Sequence, residues 1–200
     1  MTLEELKNHP DVIYIRPESE GWRVVEMRDG TTFYCENQHK LLDIRFPQAR
    51  DVHCGWSVIT FWKGEELFNP NEEELTETGF LGFGDVNDGW ACAEKSPDVF
   101  TTFKPSANKS AGTFQDIAPF VIKGKVRVKD ENGWTLFFPE INRTLKARFE
   151  ESDFSEVEAR LIEKESLSKG LFKSLIPATK NQPCLKPLNK GTSLEKTLTK

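Results

Sequence analysis

The dipeptide Gly-Trp recurs at 21–22, 55–56, 89–90 and 133–134, each time followed by strand-like residues. The first two occurrences extend into a longer match at a constant offset of 34, with Val24 on Val58, Gly30 on Gly64, Tyr34 on Phe68, Asn37 on Asn71, Leu41 on Leu75 and Phe46 on Phe80. A repeat of this length is one supersecondary unit, a hairpin plus a short helix, that buries its Trp only against a neighbour. A duplicated hairpin unit at 21–46 and 55–80 is therefore one reading. The other is local: glycine ends a turn, and tryptophan opens a strand because aromatics fill a half-buried pleated surface. The third and fourth occurrences share only the dipeptide. Both readings put the tryptophans in the core.

The surrounding pattern is mostly of period two. Thr2-Leu-Glu-Glu5 fits a capping box opening a short helix that ends by Pro10. Val12, Tyr14 and Trp22 to Met27 read as strands, Asp29-Gly30 as a hairpin turn into Thr31 to Cys35, and Trp56 to Trp62 as a further strand. Asn69-Pro70-Asn71 before Glu72, Glu73 and Glu74 predicts a capped, acidic first helical turn. Beyond Ala118, Phe120, Ile122, Val126 and Val128 alternate with Lys123, Lys125, Arg127 and Lys129, with Gly124 as a bend or bulge. Trp134, Leu136 and Phe138 continue the alternation, as do Leu145, Ala147 and Phe149. Val157, Ala159 and Leu161 read as another strand, or as a helix behind Ser155. The expected fold is mainly β with minor α: antiparallel sheets packed as a sandwich or small barrel, a short N-terminal helix and a disordered tail.

Charge divides the chain. Residues 1–119 hold 11 Lys and Arg against 21 Asp and Glu, 120–149 hold 7 against 3, 150–166 hold 2 against 7, and 167–200 hold 7 against 1. The expected organisation is an acidic β-rich region at 1–117, an antiparallel sheet with a basic face at 118–166, and a flexible basic tail at 167–200. No apolar run approaches the roughly 20 residues of a membrane helix, so no membrane partner is expected. Glu4 and Glu5 stand where a signal peptide would be basic and then apolar. Four scattered cysteines, Cys35, Cys54, Cys92 and Cys184, with no CxxC pair, read as reduced thiols in the cytoplasm.

The strongest binding candidate is the ladder Lys123, Lys125, Arg127 and Lys129. Alternate strand residues share a face about 6.7 Å apart, near the repeat of an extended nucleic-acid backbone. Lys146 and Arg148 are expected on the same face with Phe137 exposed among them, giving charge for phosphates and a ring for stacking on single-stranded bases. The competing reading is the ordinary wet, edge-protecting face of a strand, with Glu156 and Glu158 pairing across the sheet. Cys35, His39, His53 and Cys54 carry zinc-ligating atoms at poor spacing, because adjacent His-Cys diverge on a strand. A thiol site at Cys54, with His39 as base and Asp43 or Asp51 to orient it, lacks a helix N-terminus to lower the thiol pKa. Asp85 to Gly89 resembles a calcium loop whose Gly comes early and whose closing Glu is replaced by Ser96, so it reads as a turn. No catalytic residue and no cofactor is assigned. The expectation is a non-enzymatic binding or accessory protein that contacts single-stranded nucleic acid through the basic strand face and tail. The alternatives are a protein–protein interaction module, or a small-ligand barrel or thiol enzyme around Cys54.

Overall fold

The computed structural model describes residues 1–150. It holds one short helix, α1 (Leu3–Lys7), and four antiparallel four-stranded sheets, each a meander with strands in chain order. The first sheet is β1 (Val12–Ile15), β2 (Trp22–Met27), β3 (Gly30–Cys35) and β4 (Lys40–Leu41). The second is β5 (Gln48–Ala49), β6 (Ser57–Phe61), β7 (Gly64–Asn69) and β8 (Glu74–Leu75). The third is β9 (Gly82–Phe83), β10 (Ala91–Ser96), β11 (Val99–Lys104) and β12 (Lys109–Phe114). The fourth is β13 (Asp116–Ile117), β14 (Val126–Asp130), β15 (Gly133–Phe138) and β16 (Arg143–Thr144), so it begins just ahead of the expected boundary at 117/118.

The mainly β, antiparallel expectation matches this architecture, but the sheets do not close into a barrel. They stack in series, and each interior core is shared by two consecutive sheets. Trp22, Val24, Phe33 and Cys35 of the first sheet meet Ile59 and Phe68 of the second. Val58 and Leu67 of the second meet Ala91, Ala93 and Phe103 of the third. Trp90, Cys92, Ala111 and Phe114 of the third meet Val126, Val128 and Phe137 of the fourth. The outer face of the first sheet is closed by α1, whose Leu6 packs fully buried against Val25, Met27 and Tyr34. The capping box holds this helix: Glu5 N–H donates to Thr2 Oγ1 at 3.2 Å and Thr2 N–H to Glu5 Oε2 at 2.7 Å.

Two turns recur in each sheet. The long hairpins close over two-residue tips, Arg28-Asp29, Trp62-Lys63, Pro97-Asp98 and Glu131-Asn132. The turn entering each second strand has both central residues left-handed: Glu20-Gly21, Cys54-Gly55, Asp88-Gly89 and Lys123-Gly124. That is the type I′ geometry whose twist suits paired strands. Its bridges, Ser19 to Trp22, His53 to Trp56, Asn87 to Trp90 and Ile122 to Lys125, align the four sheets. In this register the fourth sheet carries Lys125 where the others carry Trp. Gly133-Trp134 instead stands at the hairpin tip, the position of Gly30 and Gly64.

Three local expectations are corrected. Residues 70–73 form a turn, not a helix, because Asn69 Oδ1, at the end of β7, accepts from the N–H groups of Asn71 and Glu72. Residues 118–125 are a connecting loop, so Phe120 and Ile122 are exposed, and Gly124 sits in a tight turn at φ +70° rather than in a strand. After β16 the regular strand ends: Leu145 N–H still donates to Leu136 O, Thr135 Oγ1 donates to the Leu145 and Ala147 carbonyls, and Phe149 bridges Trp134, but 145–148 form no strand. The strand or helix at 157–161, the carboxylates Glu156 and Glu158, and the basic tail at 167–200 lie outside the described residues.

The repeat makes a direct prediction. A Cβ at Gly30 would come within 2.7 Å of the Phe46 carbonyl oxygen, and one at Gly64 would strike the equivalent carbonyl of Phe80. Nothing lies within 4 Å of a Cβ at Gly133. Gly64→Ala is expected to cost about 2–3 kcal/mol in urea unfolding and Gly133→Ala about 1 kcal/mol. Equal costs would contradict the close approach.

Candidate binding groove

Successive sheets are stitched by side chains that repeat with the period. Glu20 accepts from the N–H groups of Cys54 and Gly55 at 2.9 and 2.7 Å, and Asp88 from Gly124 N–H at 3.1 Å. Each carboxylate thereby occupies the turn that opens the following sheet. Trp22 Nε1 donates to Asn71 Oδ1 at 3.2 Å, and Trp90 Nε1 to Glu140 Oε2 at 3.3 Å, again one sheet ahead. Lys104 Nζ reaches the same Glu140 oxygen at 2.9 Å.

An arginine crosses each of the first two junctions. Arg16 binds Glu26 of its own sheet through Nε and Nη2 at 3.1 and 2.9 Å, and its Nη1 lies 3.7 Å from Asp51 of the second sheet. Arg50, 34 residues on, binds Glu65 at 2.8 Å and lies 3.7 Å from Asp85 of the third sheet. Oδ1 of each of these aspartates is withdrawn from solvent without a hydrogen bond, so the guanidinium is its main compensation. Arg50 Nη1 also donates to the Phe83 carbonyl at 3.0 Å, while Glu65 Oε2 accepts from Phe83 N–H at 2.7 Å. The ion pair thus satisfies both backbone groups on the free edge of β9, standing in for a neighbouring strand.

The third junction breaks the pattern. Gly84 takes the arginine position, as its N–H bond to Cys92 O repeats those from Arg16 to Val24 and from Arg50 to Val58. Phe120, one place before buried Val121, takes the position that Asp51 and Asp85 hold before Val52 and Val86. A groove of about 370 Å³ opens there, lined by Glu65, Phe83, Asp85, Glu94, Phe100 and Phe120 among others. Cys92 also borders it, and burial pushes its thiol up to about 12, which keeps it neutral.

The structure separates the basic residues singled out in the sequence. Lys125 is buried, Arg127 is half-buried, and Lys123 and Lys129 are exposed. Lys146 and Arg148 are exposed, but Arg148 pairs with Asp130 at 2.8 Å and donates to the Leu145 carbonyl at 2.8 Å. Arg45 makes the matching contacts to Asp29 and the Leu42 carbonyl in the first sheet, which gives Arg148 a structural role. Phe137, expected to be exposed, is 2% exposed in the third core, because strand alternation turns it to the face opposite Leu136. The ladder is not one bare strip.

The thiols and imidazoles are dispersed. Cys35 lies in the first core, and Cys54 is half-buried at the edge of the second. His39 Nδ1 sits 3.5 Å from the Tyr34 hydroxyl, and His53 Nε2 lies 3.9 Å from Asp85. No group of three or more His, Cys, Asp and Glu among the described residues is arranged to hold a metal ion.

No family model matches this chain. No curated protein matches it either. Among solved structures it is similar to apo AztD from Citrobacter koseri, with 10% identity over 71% of this chain and 48% of that one, at a TM-score of 0.40. It is also similar to the N-terminal domain of Nup159, with 11% identity over 60% and 39%, at 0.38. BamB from Moraxella catarrhalis gives 10% identity over 64% and 49%, at 0.33. The chain therefore spans less than half the length of each, and the functional reading rests on its own residues.

The third junction also supplies a pH prediction. The Lys104 hydrogen bond, reinforced by the ammonium charge and by Trp90, holds the Glu140 carboxyl below its ordinary value of 4.5. A lowered folded pKa gives stability that is complete above the unfolded value and lost as pH falls through the folded one. Glu140→Gln is therefore expected to lower the unfolding free energy in urea at pH 7 by about 0.5 kcal/mol, as for exposed pairs. The gap to the parent chain should close below pH 4.5, and a gap unchanged at pH 3 would contradict the assignment.

Proposed function

We propose that this protein is a non-enzymatic protein-interaction module of stacked sheets, placed in the cytoplasm. Trp62 carries the reading. It stands at the tip of the β6–β7 hairpin, 88% exposed, with Lys63 Nζ 4.5 Å from its ring centroid. A two-residue tip is satisfied by polar residues and gains nothing from a bare indole. Large exposed aromatics are the usual anchors of protein contacts.

Its surroundings support the same reading. A Cβ at Gly64, beside the tip, would lie 3.5 Å from Leu81 Cα, and Leu81 is itself exposed. Gly82 then borders the groove, which leads to exposed Phe120, with exposed Ile122 just beyond. Exposed apolar residues thus stand at the β6–β7 tip, just before β9 and in the loop before the fourth sheet, with the charged groove between Gly82 and Phe120. A nucleic-acid reading keeps Lys123, Lys129 and Lys146 as exposed cations, but loses Phe137 as a stacking ring and Lys125 to burial. No helix among the described residues is long and apolar enough to cross a membrane.

The test is affinity capture from cell extract with the full chain and with Trp62→Ala, quantified by mass spectrometry. A specific partner retained by the parent chain should fall about tenfold or more on the variant, as for an interfacial tryptophan, with the melting temperature unchanged. Retention equal on both chains overturns the reading. So does a gel shift of a single-stranded oligonucleotide at 50 mM salt that Trp62→Ala leaves intact while no protein partner is retained.

A further inference from the structure

We infer that the groove at the third junction is a receptor for an arginine side chain of a partner protein, a reading that rests on the interaction module proposed above. The fold itself shows what belongs there. At the first junction, a guanidinium bridges Glu26 of one sheet to Asp51 of the next. At the second, Arg50 bridges Glu65 and Asp85. At the third, Glu94 stands at the register of Glu26, since Gly82 pairs with Glu94 as Tyr14 pairs with Glu26, whereas the second sheet has Thr60 there and draws Glu65 from the facing strand. The arginine that would answer it is absent from the chain, because its position is Gly84.

The chain is unable to supply the missing group from that position. A Cβ at Gly84 would stand 2.5 Å from the Pro119 carbonyl oxygen, so the backbone of the third sheet is held against the loop before the fourth. Arg50, the guanidinium lining the groove, is committed to Glu65, Asp85 and the Phe83 carbonyl. Glu94 is half-buried, and its carboxylate makes no ion pair or hydrogen bond among the described residues. The groove therefore holds three carboxylates, Glu65, Asp85 and Glu94, against one guanidinium.

The remaining lining selects the kind of cation. Phe120, 45% exposed, replaces the repeat's second carboxylate, and Phe100 lines the same groove. Aromatic faces beside a half-buried carboxylate suit a planar, weakly hydrated guanidinium better than a strongly hydrated ammonium. The exposed Leu81, next in sequence to the groove residue Gly82, offers contact to the chain that would carry the arginine. A protein segment fits this combination where a small cation alone would leave the apolar rim uncovered.

The test uses the full, 15N-labelled chain titrated with acetyl-Gly-Arg-Gly-amide, with the lysine peptide, and with the neutral, nearly isosteric citrulline peptide. The arginine peptide should give saturable amide shifts at Gly82, Glu94, Phe100 and Phe120, with the lysine peptide several-fold weaker. The citrulline peptide, and Glu94→Gln with the arginine peptide, should each be about tenfold weaker, as for loss of one charge partner. Phe120→Ala should weaken binding several-fold, and it decides the matter if Glu94→Gln lowers the melting temperature. Absence of saturable shifts, or shifts equal for arginine and citrulline or equal in Glu94→Gln, overturns the receptor. Loss of partner capture on Trp62→Ala alongside that negative result would leave the interaction module standing without the arginine site. Peptide binding with capture unaffected by Trp62→Ala would do the reverse.

Discussion

The structure depends on the first three sheets each giving their two faces to two different neighbours. A lone meander of four short strands has little core, and two strands in each of sheets two and four, and one in each of sheets one and three, are only two residues long. Stability comes when Trp22, Val24 and Phe33 are covered by Ile59 and Phe68, and the same exchange is made twice more along the chain. The helix α1 closes the one face that has no preceding sheet. Because each interior core is a contact between consecutive sheets, the ion pairs and caps that cross the junctions reinforce that same contact. Glu20 and Asp88 hold the following turn, and Arg16 and Arg50 hold the following loop.

This arrangement explains what the sequence revealed and what it hid. The hairpins were legible because Asp29-Gly30 and the alternating flanks state their turn and period locally, and the capping box states α1 in four residues. The sharing of faces was not. In β3, Thr32, Phe33, Tyr34 and Cys35 are all buried, so burial has no period of two, although alternation is the signal used to find a one-sided sheet. The Gly-Trp dipeptide misled in the fourth sheet. There Gly124-Lys125 fills the repeat position and Gly133-Trp134 the tip, so matching letters stood for different places.

The basic ladder was legible as a pattern but not as a surface. Lys125 and Arg127 occupy the places of Trp90 and Cys92, on the face that the earlier sheets turn to their successors. The groove had the opposite problem. Gly84, Glu94 and Phe120 are unremarkable in isolation, and the signal lies in Glu94 repeating Glu26 while Gly84 and Phe120 depart from Arg16 and Asp51. Only a register fixed by backbone bonds allows that subtraction.

The left-handed turns with their bridging carboxylates have a geometric corollary. A side chain that grips the opening bend of the next layer fixes the rotation from one layer to the next, much as a detent fixes the step of a spiral staircase. Glu20 and Asp88 use oxygens of slightly different reach at the first and third steps, and the second step has Cys54 at that place. The stagger of the molecule's exposed rim is thereby tied to Glu20 and Asp88, whose replacement would loosen the first and third steps.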